Sequence, residues 1–272
     1  MRISTPAKLS LRTVVVVYLA VLLLVPLGLV FYRTFQHGFS EAWGWMTTPA
    51  AVSALMLTLL IAAIAVPLNT IFGIICAHVL VRGRVRGRAI LDALIDLPFV
   101  VSPIIVGLAL ILVYGESGWF GNWFVSHGIQ IIYAPAGMVI ATVFVSLPFV
   151  VREVAPVLRE AGEEQEEAAA TLGASWWQTF RRVTMPSIRW GIAYGVVLTS
   201  ARALGEIGAV LVVSSNVAGS TLTLPLLVYQ RDSQIGPEAV SGAYAAATEL
   251  IVISLAVLLV MTLLGQRREQ VR

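Results

Sequence analysis

Arg202 and Glu206 stand four residues apart in the run GIAYGVVLTSARALGEIGAVLVV (191–213), which carries no other charge. On a helix a four-residue step places two side chains about 40° apart, so both project from one face. A charge at the centre of a hydrocarbon layer costs roughly 2.5–3.5 kcal/mol or more to insert. Such a pair must therefore face another subunit or a water-filled path. Two chemistries fit. Arg202 can offset the charge of a passing anion while Glu206 holds its side chain, or the two can form a structural ion pair that fixes helix packing. An anion path would need a weak site, because a deep well would stop release. Gly205 and Gly208, with Gly191 and Gly195 before them, permit close approach of neighbouring helices. At the far end Ser214, Ser215 and Asn216 either offer hydrogen bonds to a cargo or make a plain loop.

A second candidate is EEAAATLGASWWQTFRRVTMP (166–186), a polar stretch set between apolar ones. Its upstream part, VREVAPVLREAGEEQEEAAATLG, is rich in Glu and Ala, both good helix formers. Gly173 suits a helix C-terminus, where glycine tolerates the left-handed conformation. A second short helix over 174–183 would gather Trp176, Trp177, Phe180 and Val183 on a partly apolar face. Pro186 then fits the first turn of the next helix. On physical grounds alone this helix–turn–helix is either a docking knob for a partner or an amphipathic connector lying at the membrane surface.

Other polar residues carry less. Asp92 and Asp96 repeat the four-residue spacing and are expected to cap a helix or pair with Arg84, Arg86 and Arg88, with a proton relay as the other reading. His37, His78 and His127 are scattered, so no metal site is expected. Cys76 is the only cysteine and lies in an apolar block, which excludes a disulfide framework. The Arg82–Arg88 run reads as a topology anchor or a lipid-headgroup contact, not as a nucleic-acid site.

These residues need a scaffold, and composition names it. The chain of 272 residues is 58% hydrophobic and 12% charged, against about 25% charged in soluble domains. Its apolar residues fall in blocks near the ~20 residues that a helix needs to cross a bilayer. The reading is all-α and integral to the membrane, with six spans near 14–34, 52–81, 89–114, 136–155, 188–213 and 243–265. Pro67 is expected to bend the second span and Pro98 and Pro103 to break the third. The first block has a basic leader but no small-residue cleavage site, so it is expected to stay as a helix. Of 18 Lys and Arg residues, 15 fall before span one, between two and three, between four and five, or after span six. The positive-inside rule then puts both termini in the cytoplasm. The resulting organisation is an N-terminal helix and outer loop (1–50), a core (51–265) with its long cytoplasmic loop at 156–187, and a tail (266–272).

That loop carries a resemblance. Glu167, Ala168 and Ala169, then Gly173, then Val183, Met185 and Pro186 match in spacing the cytoplasmic signature of ABC importer membrane subunits, with Val183 and Met185 as conservative departures. IDLPFVVSPIIVG (95–107), LPFVVREV (147–154), RALGEIGAVLVVSSN (202–216) and TLTLPLLVY (221–229) resemble permeases of the sulfate/thiosulfate and molybdate oxyanion family, with the W-type sulfate branch nearest in pattern. The resemblance covers about residues 50–265. It implies a type I ABC importer permease fold in a bacterial plasma membrane and a coupling helix seated on a dimer of ATP-binding subunits. It also implies a homologous T-type permease partner and an extracytoplasmic sulfate-binding protein. ATP and Mg would sit on the ATP-binding partner, and this chain would bind no cofactor of its own.

The sequence lacks a G-x-x-x-x-G-K-[ST] phosphate loop, since GRVRGRAI (83–90) has the glycines without the Lys-Ser/Thr ending. The chain is therefore not expected to be an enzyme by itself. Within the family, molybdate or tungstate is the alternative cargo. From a different class, an ion-coupled secondary transporter would need broken helices in both halves, and the sequence suggests a break only near Pro98 and Pro103. A plain membrane anchor would have no use for Arg202 and Glu206.

Overall fold

The computed structural model describes residues 5–83 and 86–267. Arg2, Arg84, Arg268 and Arg272, counted above for topology, lie outside the described residues, as does most of the expected tail. The described residues are helical and contain no strand. Four helices are long and apolar enough to cross a membrane, and five spans result if one bent pair counts as a single span.

α1 (Thr5–Phe35) stands apart, with none of its most apolar stretch buried within the chain. It is held near its end by Thr34, whose hydroxyl meets the carbonyl of Tyr244 at 2.9 Å and the hydroxyl of Thr248 at 2.7 Å. α2 (Phe39–Met46) is a short helix within the stretch read as an outer loop. α3 (Pro49–Arg82) starts on Thr48, whose hydroxyl accepts the Ala51 N–H, and places Pro49 in the first turn. Pro67 lies inside α3, which runs on as one helix through that position.

α4 (Arg88–Val100) and α5 (Pro103–Tyr114) are the expected broken span, bent by 110°. The cause is local. Proline disfavours the helical region for the residue before it, and at Pro103 that residue, Ser102, is extended, with Val101 extended before it. Pro98, also expected to break the span, lies inside α4 and does not. After α6 (Gly121–Ser126), α7 (Pro135–Glu160) runs through the middle of the bundle against α3 and α11 (Arg189–Leu204). Val150, Val151, Val154 and Leu158 of α7 are fully buried there. A Cβ on Gly73 would sit 2.6 Å from Val150 Cβ, and one on Gly195 would sit 2.9 Å from Val150 Cα. α7 is thus gripped on two sides by glycine faces.

The fifth span differs from its expectation. The run 188–213 is not one helix: α11 ends at Leu204 and α12 (Gly208–Val213) begins after a break at 205–207. A second break is therefore present, although the sequence suggested only the one near Pro98 and Pro103. α12 packs on α5, where a Cβ at Gly208 would lie 2.8 Å from Pro103 Cβ and one at Gly107 would lie 2.7 Å from Val212 Cβ. Gly205 is not a packing glycine within this chain, because a Cβ there would meet only the Ala201 carbonyl oxygen at 3.6 Å. α13 (Leu224–Asp232) lies between the expected fifth and sixth spans, and α14 (Pro237–Arg267) is the last described helix. Arg231 of α13 is buried and donates to the Gly242 carbonyl at 2.9 Å and the Thr48 hydroxyl at 3.0 Å. Its guanidinium lies over the Trp45 ring, so one residue joins α2, α3, α13 and α14.

Candidate coupling site

The stretch between α7 and α11 is built by its own sequence. α7 continues past Pro156 to Glu160, so the turn begins at residue 161, later than the expected 156. Gly162 reverses the chain with φ +68°. α8 (Glu164–Thr171) follows, with Glu164, Glu166 and Glu167 in its first turn, where carboxylates complement the helix dipole. Its end is closed by Gly173 at φ +82°. Gly173 N–H donates to Ala170 O and Ala174 N–H to Ala169 O, both at 3.0 Å. That pair of bonds is the glycine-terminated closure that satisfies two otherwise free carbonyls.

Ser175 then opens α9 (Trp176–Thr179) with a capping box: its hydroxyl accepts the Gln178 N–H while Gln178 Oε1 accepts the Ser175 N–H at 2.8 Å. The chain continues through a π-helical turn, Phe180–Thr184, and α10 (Met185–Ser187) into α11. The expected helix over 174–183 is thus a capped α-turn and a π-turn that lead directly into the membrane helix. Pro186 lies within α10, just before the first turn of α11.

Within this unit Glu167, Ala168 and Gly173 are exposed and Ala169 is half-buried. Leu172, Trp176 and Trp177 present 88%, 66% and 59% of their surface, an apolar display that a water-facing loop does not need. The tryptophans are rigidly placed, for Trp176 stacks on Phe180 with centroids 5.5 Å apart. His78 of α3 meets both rings edge-on. Val183 is half-buried, and Met185 packs on the cluster formed by Leu80, Val154, Leu158 and Ile188.

The structure does bring Arg202 and Glu206 together, at 2.6 Å between Nη2 and Oε2. The contact is a close charge pairing and not an aligned hydrogen bond. It forms across the helix end: Glu206 lies in the break beyond α11, and its Oε1 accepts the Ala209 N–H at 2.9 Å, which caps α12. Glu206 is buried and Arg202 half-buried. The Thr223 hydroxyl, buried and without a partner, borders the same small cavity as Glu206, Thr58 and Thr142. Ser214 and Ser215 are not free. Both hydroxyls are bonded to Thr221, and Asn216, at φ +55°, donates its N–H to Ser214.

Asp92 and Asp96 find a partner the sequence did not suggest. Arg152 of α7 reaches Asp92 at 3.0 Å and Asp96 at 2.7 Å, fixing α4 against α7. The described arginines of the 82–88 run take no part in it. Arg82 was also missed as more than an anchor. Its guanidinium turns into the loop, where Nε meets Glu166 at 3.0 Å. Only spatial proximity could reveal either pairing, because the partners are 56 to 84 residues apart in the chain.

Residues 69–270 match the model of the binding-protein-dependent transport system inner membrane component, and the chain belongs to that family of ABC importer permeases. Within it, the chain is 49% identical to the sulfate transport system permease protein CysW of Synechocystis, over 96% of this chain and 93% of that one. It is 44% identical to CysW of Escherichia coli K12 over 92% and 85%, and 39% identical to CysT of Synechocystis over 93% and 87%. A chain of a bacterial ABC transporter involved in the import of the acidic polysaccharide alginate superposes with a TM-score of 0.77 at 17% identity, over 96% of this chain and 95% of that one.

Proposed function

We propose that this chain is the W-type membrane subunit of an ATP-driven importer of sulfate and thiosulfate. The observation that carries the reading is 49% identity to a sulfate permease along nearly the whole of both chains. The relatives named CysT support a homologous T-type partner. An alginate transporter of the same fold, described in complex with its ligand-bound periplasmic protein, supports delivery by a sulfate-binding protein.

In this reading the chain crosses the inner membrane six times, with α4–α5 and α11–α12 as broken spans and both termini in the cytoplasm. It forms half of the path and hydrolyses nothing itself. Two ATP-binding subunits carry ATP and Mg, and one receives Leu172, Trp176 and Trp177 with the exposed edge of α8. Closure of that dimer pushes the loop. Because the π-turn leads directly into α11, the push reaches the Arg202–Glu206 pair and the break at 205–207. Glu206 spends one oxygen on Arg202 and the other on the backbone, so the pair acts as a structural clasp and the anion passes without a tight site.

The test is labelled sulfate uptake in cells lacking this chain. The expected result is lost uptake, restored by the chain and competed by thiosulfate but not by molybdate. Intact sulfate uptake with lost molybdate accumulation would overturn the substrate and keep the permease.

A further inference from the structure

The exposed side of the loop is where a partner would press, yet a push is useful only if it is carried onward. α8 buries none of its residues and packs chiefly on α9 and the π-turn. Its apolar packing reaches α3, the helix that lies along most of α7, through α9 and the π-turn, where His78 of α3 meets Trp176 and Phe180. The direct grip of α8 on α3 is polar. Arg82 is the last residue of α3, with its side chain only 11% exposed. Its Nε holds Glu166 Oε2 at 3.0 Å, Nη2 donates to the Gly162 carbonyl in the turn after α7, and Nη1 lies 3.8 Å from Glu163. Glu166 uses its other oxygen to accept the hydroxyl of buried Thr184 at 2.8 Å. Thr184 ends the π-turn that leads into α11.

We propose that Arg82, Glu166 and Thr184 form a positioning strut that carries displacement of the coupling loop into α3 as well as α11. It rests on the reading of this loop as the coupling element. One carboxylate bridges two helices and one guanidinium adds the α7 turn, so the same three side chains tie together the loop-side ends of three long helices. The planar fork of arginine serves a carboxylate and a carbonyl at once. Lysine, a single rotatable ammonium, cannot hold both directions. Glu166 precedes the motif residue Glu167 and faces inward while Glu167 faces out. The two adjacent acids thus divide the work between the bundle and the exposed face.

The experiment uses the assembled complex in proteoliposomes and reads sulfate moved per ATP hydrolysed. Thr184→Val keeps the shape of a buried side chain and removes only the hydroxyl, Thr184→Ser keeps the hydroxyl, and Arg82→Lys keeps the charge. Gly173→Pro serves as the reference for a broken loop. The expected result is a fall in the ratio of about five-fold or more, the lower end of common inter-site coupling, for Thr184→Val and Arg82→Lys, with recovery in Thr184→Ser. A wild-type ratio in both Thr184→Val and Arg82→Lys, with Gly173→Pro uncoupled, overturns the strut alone. A wild-type ratio in Gly173→Pro as well overturns the coupling reading and the strut with it.

Discussion

Replacing Gly191 with alanine sets two effects of similar size against each other. In a helix interior alanine is favoured over glycine by roughly 1 kcal/mol, an upper bound for Gly191, the third residue of α11. A Cβ at Gly191, however, would lie 2.7 Å from the Glu153 carbonyl oxygen, 3.1 Å from Val154 Cα and 3.2 Å from the Glu153 carbonyl carbon. Ordinary contact begins near 3.5 Å, so α11 must move away from α7 by several tenths of an ångström. All three atoms are backbone, and no side chain can rotate out of the way. Overpacking of this kind costs about 1–3 kcal/mol, and displacing two long helices along a shared buried seam belongs in the upper half of that range. The clash therefore wins, leaving a net loss of about 1–2 kcal/mol. Gly28→Ala is the control, because it brings the full helix-interior preference with nothing within 4 Å of the new Cβ. Thermal unfolding of the detergent-solubilised complex should place Gly191→Ala a few degrees below Gly28→Ala. Equal midpoints would refute the claim that backbone contact between α7 and α11 makes this glycine necessary.

The two glycines beside the break should separate in the same assay: Gly208→Ala is expected to lower the midpoint through its contact with Pro103, and Gly205→Ala to leave it within error. Arg202→Ala strands a carboxylate whose side chain is 1% exposed. Losing one partner of a buried pair costs about 3–5 kcal/mol, and the partial exposure of Arg202 puts the expected loss at the low end. The double change Arg202→Gln with Glu206→Gln should recover most of it. Arg152→Ala leaves Asp92 and Asp96 facing each other without their shared cation, so the amount of chain inserted in membranes should fall. Adding Asp96→Asn should restore part of it, as read by quantitative immunoblot.

Much of this fold was legible because hydropathy blocks report spans directly. The second and fourth spans, read as 52–81 and 136–155, lie within α3 and α7. The break before Pro103 followed from the constraint that proline places on the residue before it, although Pro98, expected to share in it, stays inside α4. The break at 205–207 was hidden because no proline marks it. There the buried Glu206 reaches forward to the Ala209 N–H of α12, a bond that hydropathy does not report. α2, α6 and α13 escaped for a related reason: each is short, and α13 is held by Arg231 through contacts with α2, α3 and α14 that local sequence does not encode. At the coupling loop, Gly173 was read from its local role, whereas the Ser175–Gln178 box, equally local, was not. The inward turn of Glu166 toward Arg82 was not, because residues 84 apart meet only once α3 and α7 have packed.

The most direct test of the central claim is sulfate accumulation in proteoliposomes holding the purified complex, with the binding protein on the outside and ATP sealed within. Sulfate should accumulate only when ATP and the ATP-binding subunits are both present, and an imposed proton or sodium gradient without ATP should drive none. Accumulation by this chain from an ion gradient alone, in the absence of ATP, would contradict the account.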